Sequence, residues 1–223
     1  FADMVTVVLS LLAALALCVS GHSVSAFGRS LPAAELSALR LSGGPRADTY
    51  GELTDEGFRT LYSSELQQGD TFVDLGSGRG QLVQQAISEF NVERAVGIEL
   101  SPTRHNEAVA ALNAAGTSLA NRAMLLCADA GGESAAEALQ AATVVWVANL
   151  CFDVQLQRKL ASRIEAAQSV RFVAVLKPFP EVPAGFELVE PAVLARCSWT
   201  HKMTHPCMPL TPGHPCSRYR RLL

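Results

Sequence analysis

Lysine is nearly missing from this chain: Lys159, Lys177 and Lys202 are its three lysines, and arginine supplies the rest of its 18 basic residues. Set against 21 acidic residues, this leaves a formal net charge of -3. A domain that coats nucleic acid needs a basic excess, so no strong nucleic-acid surface is expected. Cysteine is sparse as well. Cys18, Cys127, Cys151, Cys197, Cys207 and Cys216 are too few to frame a chain of 223 residues with disulfides. Cys127 and Cys151 fall in apolar stretches and are expected to be buried thiols. There is no Gly-x-Ser-x-Gly turn, no Ser/His/Asp order of a hydrolase triad and no internal repeat. What the chain does have is apolar residue: 49% is hydrophobic, enough for the core of one ordinary domain with a short extension.

The amino-terminal part stands apart. Val5 to Val19 is an almost unbroken apolar run, shorter than the roughly 20 residues that span a bilayer comfortably. Val24-Ser25-Ala26 follows with small residues suited to signal-peptidase cleavage. Residues 1–26 therefore read as a signal peptide or membrane anchor, with membrane contact through residues 5–19 if they are retained. Residues 27–47 carry Arg29, Arg40 and Arg46, several serines and Glu35 as the single acid before Asp48. That composition suits a transit-like segment, and Ser42-Gly43-Gly44-Pro45 suits a plain linker. The domain proper is expected over residues 48–223.

From Tyr50 onward, short apolar runs alternate with helical spacing. Strands are expected at Thr71–Leu75, Arg94–Leu100, Ala123–Cys127, Thr143–Ala148 and Arg171–Leu176. Helices are expected from Thr54 as a cap, at Gln81–Phe90, at Pro102–Ala115 and at Asp153–Ala166. Continuous apolar strands are those buried on both faces, and strand–helix alternation implies right-handed crossovers. The fold class is α/β: a doubly wound, mostly parallel, Rossmann-like sheet. Phe186–Val189, Arg196–Thr200 and Arg218–Leu222 are expected to add an antiparallel edge.

The strongest local signal is Asp74-Leu75-Gly76-Ser77-Gly78-Arg79-Gly80-Gln81, placed between a strand and a helix. The glycines fall as G-x-G-x-G, not as the G-x-G-x-x-G of dinucleotide binders. Asp74, at the strand end, would repel a pyrophosphate. S-adenosylmethionine carries a sulfonium and an ammonium, so an acid there favours it. Two unit charges about 4 Å apart interact by on the order of 4 kcal/mol at an effective dielectric near 20, enough to separate the two cofactors. Glu99 closes the second strand and is placed to accept from ribose hydroxyls; Asp129 closes the third and is placed to accept from adenine.

Tyr50-Gly51-Glu52, the DLGSGRGQ loop, GIE, VVWVANLCF, LKPF and Ser198-Trp199-Thr200 occur in this order. Together they make residues 48–200 resemble the catalytic domain of the Dot-type (disruptor of telomeric silencing) histone-lysine methyltransferases. The resemblance implies a class I, S-adenosylmethionine-dependent enzyme acting on a lysine in the folded core of histone H3, with a histone or nucleosome as partner. It implies that Tyr50 and Glu52 lie on a loop closing over the cofactor, that Asp74, Gly76 and Gln81 contact its methionine end, and that Ser77, Gly78 and Gly80 also count among the cofactor-binding residues. Glu99 would hold the ribose and Asp129 the adenine. Asn149, which also counts among the cofactor contacts, Phe152 and Trp199 would lie near the methyl group and the lysine channel. Tyr219, in Ser217-Arg218-Tyr219, would line that channel. Where the family has an aromatic after the adenine-binding acid, this chain has Ala130.

The resemblance places the protein in the nucleus, whereas the amino-terminal segment points to the secretory pathway or a plastid. Two other readings therefore stay open: methyl transfer to a non-histone lysine or small molecule, and a cofactor-binding pseudoenzyme. Cys197, His201, His205, Cys207, His214 and Cys216 crowd the tail without a C-x2-C pair, so a proline-stiffened loop is expected there and no metal. Lys177 reads as the cap of the fifth strand.

Overall fold

The computed structural model describes residues 31–43, 51–200 and 213–222. The apolar run at 5–19, its cleavage site, Tyr50, His201, His205 and Cys207 lie outside them. Among the described residues no helix is long and apolar enough to cross a membrane.

Seven strands form one sheet in the order β3-β2-β1-β4-β5-β7-β6. β1 (Thr71–Leu75), β2 (Arg94–Glu99), β3 (Ala123–Cys127), β4 (Val144–Val147) and β5 (Phe172–Val175) run parallel. β7 (His214–Arg221) pairs antiparallel with β5, and β6 (Phe186–Ala195) antiparallel with β7. This is the Rossmann-like sheet with an antiparallel edge that the patterning implied. The order reverses between β1 and β4, where doubly wound folds open a crevice beyond the strand ends.

Alternate residues of the central strands feed two cores. Phe72, Trp146 and Phe172 face one layer with α2 (Asp55–Tyr62) and α3 (Gln81–Phe90). Val73, Val145 and Val173 face the other with α6 (Glu133–Ala141) and α7 (Val154–Ala166). Two helices begin on side-chain caps at their expected ends. Thr54 accepts from the N–H of Gly57 at 3.1 Å, and Asp153 from that of Leu156 at 2.8 Å. Tyr62 packs on Phe58, Phe72 and Phe172, and its hydroxyl donates to the Val145 carbonyl at 3.0 Å. At the amino edge of the sheet, buried Asp70 accepts from Arg171 at 2.6 Å and from the Thr143 hydroxyl at 2.7 Å, leaving the carboxyl edge for the site.

One further helix, α4 (Pro102–Ala115), falls at its expected bounds, and three others, α5 (Thr117–Ala120), α6 and α1 (Ala33–Gly43), were not expected from the sequence. α4 starts on Ser101 with proline in its first turn, and α5 is a single turn. α6 escaped the sequence reading because its ESAAEALQA face is mostly alanine and marks no strong apolar stripe. α1 (Ala33–Gly43) lies inside the stretch read as transit segment or linker, with Leu31 and Leu39 buried.

Two expectations are corrected. Arg196–Thr200 is not a strand: β6 ends at Ala195, and the chain turns so that Thr200 N–H donates to the Cys197 carbonyl at 3.0 Å. Cys127 and Cys151 are not buried thiols. β3 is an edge strand, which leaves Cys127 exposed, and Cys151 is half-buried in a 3-10 turn (Asn149–Cys151) beside a cavity. Among the described residues the buried thiols are Cys197 and Cys216, and burial pushes both up to about 12.

Candidate active site

The loops at the carboxyl edge enclose a cavity of about 270 Å3. β1 runs into the glycine loop, where Gly76 sits at φ 92° and Gly80 at φ 73°. These are left-handed conformations that side chains resist. Gly80 is the N-cap of α3, and a Cβ there would lie 3.1 Å from Ala108 Cβ. Gly76, Ser77 and Gly78 line the cavity; Gly80 supports the turn from outside it.

Four acids line the same cavity, Glu52 from the Gly51–Leu53 segment and three at strand ends, and the states of these three differ. Asp74 is 1% exposed, and its Oδ1 has no hydrogen-bond partner. Its carboxyl is held well above the usual carboxylate range, first by desolvation and then by the negative charges of Glu99 and Glu52. Glu99 is well satisfied. One oxygen accepts from Gly78 N–H at 2.9 Å; the other accepts from Ser101 N–H at 2.9 Å and lies 3.7 Å from Arg104. Glu99 thus fastens the glycine loop to the start of α4. Asp129 is exposed at the cavity edge, and its Oδ1 accepts from Gly131 N–H at 2.8 Å.

The remaining wall is largely apolar: Leu150, Cys151, Phe152, Leu176, Trp146 and Trp199. The Gly51–Leu53 segment is stitched to the Cys197–Trp199 segment. Ser198 N–H donates to the Glu52 carbonyl at 2.7 Å, Glu52 N–H donates to the Ser198 hydroxyl at 3.0 Å, and Leu53 bridges Cys197. A Cβ on Gly51 would come within 2.4 Å of the Trp199 ring, so glycine here is required by that ring. Two motifs far apart in sequence are one structural unit. Gln81 also lines the cavity while its amide donates to Asp55.

The structure does not bring every expected residue to the cavity. Asn149 is fully buried behind it. Its amide donates to the Lys177 carbonyl at 2.7 Å and to Gln157 at 3.3 Å, and its Oδ1 accepts from Lys177 N–H at 2.9 Å. Its hydrogen-bonding capacity is spent joining the loops after β4 and β5. Lys177 is held by its backbone while its side chain is exposed. Tyr219 lies in the core on the α7 side, where its hydroxyl accepts from Phe179 N–H at 3.0 Å and its ring packs on Phe179. It does not line the cavity. Conversely, Leu39, Arg104, Trp146 and Leu176 line it without having been singled out. Among the described residues no group of His, Cys, Asp and Glu is gathered that would hold a metal ion.

The residues present fit S-adenosylmethionine. A buried acceptor with no donor costs about 1–3 kcal/mol, and a cationic donor placed against Asp74 removes that cost. A phosphate there would add to it. Glu99 and Asp129 keep free lone pairs for neutral hydroxyl or amine donors.

Sheet order, glycine loop and acid-lined crevice define a methyltransferase-type Rossmann-like domain. Two solved structures share the fold. A putative methyltransferase yhhF from Escherichia coli is 18% identical, with 76% of this chain and 88% of that one covered at a TM-score of 0.54. A protein of the NADB-Rossmann superfamily from Streptococcus agalactiae is 14% identical, covering 76% and 69% at a TM-score of 0.54. The family model "Histone methylation protein DOT1" matches residues 44–188, and the chain belongs to that family. A protein-lysine N-methyltransferase of Saccharolobus islandicus (strain REY15A) is 40% identical over 52 residues, 23% of this chain. The match spans about a third (32%) of that relative's length.

Proposed function

We propose that this chain transfers the methyl group of S-adenosylmethionine to a protein lysine, and that the acceptor lies in the folded core of a histone. The observation that carries this reading is the pairing, within one cavity, of an unpartnered buried carboxylate with an apolar aromatic wall. Membership of the DOT1 family supports the histone, and the S. islandicus relative supports lysine.

When bound, S-adenosylmethionine supplies a methyl carbon on positively charged sulfur. Asp74 meets the cationic end, and Glu99 and Asp129 supply acceptors along the rim. The acceptor amine must arrive neutral, although a lysine in water has a pKa of about 10.4. Phe152, Trp199, Leu176 and Leu150 surround it with apolar surface, which disfavours its charged form. Excluding water and aligning nucleophile with methyl carbon are the main catalytic contributions, and no dedicated base is needed.

The apolar run Val5–Val19 and the basic stretch after it favour a second reading. A chain directed to the secretory pathway or a plastid meets no nucleosome, and its acceptor is then an organellar or membrane-complex lysine. One experiment separates the readings: transfer of labelled methyl from S-adenosylmethionine to nucleosomes, free histones and an organelle extract, with methyl-lysine identified after hydrolysis. Label on histone lysine supports the first reading and label on extract lysine the second. Binding of the cofactor without label on any lysine would leave a cofactor-binding pseudoenzyme.

A further inference from the structure

The family match begins at residue 44, so α1 lies before it. α1 is nevertheless attached to the site. Glu35 accepts from the Ser101 hydroxyl, from Thr103 N–H at 3.1 Å and from the Thr103 hydroxyl at 2.5 Å. Ser101 is the N-cap of α4, so Glu35 adds a carboxylate to the positive end of that helix, with Arg104 close by. Burial works against its charge, but the hydrogen bonds from Ser101 and Thr103, with Arg104, outweigh it and hold the carboxyl below its ordinary range. Leu39 stands one turn further along the same face of α1, is 3% exposed and forms part of the cavity wall.

We propose that α1 is a cofactor-retaining lid: the Glu35 latch to Ser101 and Thr103 seats Leu39 against the bound cofactor on the β2 side of the cavity. The inference rests on the cavity holding S-adenosylmethionine. Ala130, where the family carries an aromatic, leaves apolar contact to be supplied from elsewhere, and Leu39 supplies it. Glu99 joins the two parts. It binds Ser101 N–H within the latch and Gly78 N–H within the glycine loop, so latch and loop share one carboxylate.

The test uses the full chain and S-adenosylhomocysteine, the stable demethylated product, as probe. Both tryptophans, Trp146 and Trp199, line the cavity, so intrinsic fluorescence follows its occupancy directly. Glu35→Ala and Leu39→Ala are each expected to weaken binding about tenfold, mainly through faster release. Glu35→Gln should fall between these and the parent, and Ser37→Ala, on the exposed face of α1, should change nothing. Coupling is reciprocal, so saturation with the probe must slow amide exchange in residues 36–40 by the factor that docking of α1 strengthens binding. Affinity and release unchanged within twofold in both alanine variants would overturn the lid, as would exchange in α1 that ignores the probe. Loss of binding in Asp74→Ala but in neither α1 variant would remove the lid and leave the cofactor site standing.

Discussion

Asn149 grips the backbone of Lys177 from both sides, donating to its carbonyl at 2.7 Å and accepting from its N–H at 2.9 Å. The pair ties the end of β4 to the end of β5. Gln157 extends the clamp: its Oε1 accepts from Asn149 and its amide donates to the Phe152 carbonyl at 3.0 Å. The apolar wall of the cavity thus hangs on a buried polar network. Asn149→Ala would strand both Lys177 groups, and each buried unsatisfied group costs about 1–3 kcal/mol. We expect a loss of roughly 2–4 kcal/mol in urea unfolding, with transfer falling in parallel. A variant with parental stability would show that the clamp does not act in solution.

Asp74 gives a pH signature. Its folded pKa is raised above the unfolded value, so the folded protein binds more protons between the two. The contribution of Asp74 to the stability of the ligand-free chain falls as pH rises from its unfolded value, about 3.9, to the raised folded one. A cationic ligand favours the ionised carboxylate, so S-adenosylmethionine binding expels a proton in that window and tightens with rising pH. Titration calorimetry in buffers of different ionisation enthalpy measures the expelled proton directly. Asp74→Asn should remove its contribution to the stability slope and abolish the expelled proton; proton release that persists assigns the proton elsewhere.

Tyr219 was expected in a lysine channel and is found in the core, with its hydroxyl held by the N–H of Phe179. Tyr219→Phe removes one buried hydrogen bond and leaves Phe179 N–H unsatisfied. The expected result is a loss of about 1–3 kcal/mol in stability with kcat/KM unchanged within about twofold. A large fall in kcat at full stability would instead place this hydroxyl in the chemistry.

Gly51 leaves no room for a side chain against the Trp199 ring. A Gly51→Ala methyl would lie 2.4–2.5 Å from two ring carbons, so the indole must move. Trp199 lines the cavity, so its fluorescence should shift and KM for the protein acceptor should rise several-fold, while fold stability changes little. Parental emission and KM would mean that the ring has room to yield without consequence.

The five parallel strands, the helices at Asp55–Tyr62, Gln81–Phe90, Pro102–Ala115 and Val154–Ala166, the glycine loop and the three acids at strand ends were legible in the sequence. Each is signalled locally, by a run of neighbouring residues with the right period or by a turn that needs glycine. Side-chain identity also marked Asp74 as the group to meet a cation. The roles of Asn149 and Tyr219 were not legible, because their hydrogen-bond partners lie 28 and 40 residues away in sequence. A polar side chain has a fixed number of donors and acceptors, and only the packed structure decides whether backbone or ligand takes them. The same holds for α1, whose composition suited a linker until Ser101 and Thr103, 66 and 68 residues on, were seen to hold Glu35. Sequence determined most of the elements and the chemistry they carry; tertiary contact decided which of those groups remain free for the cavity.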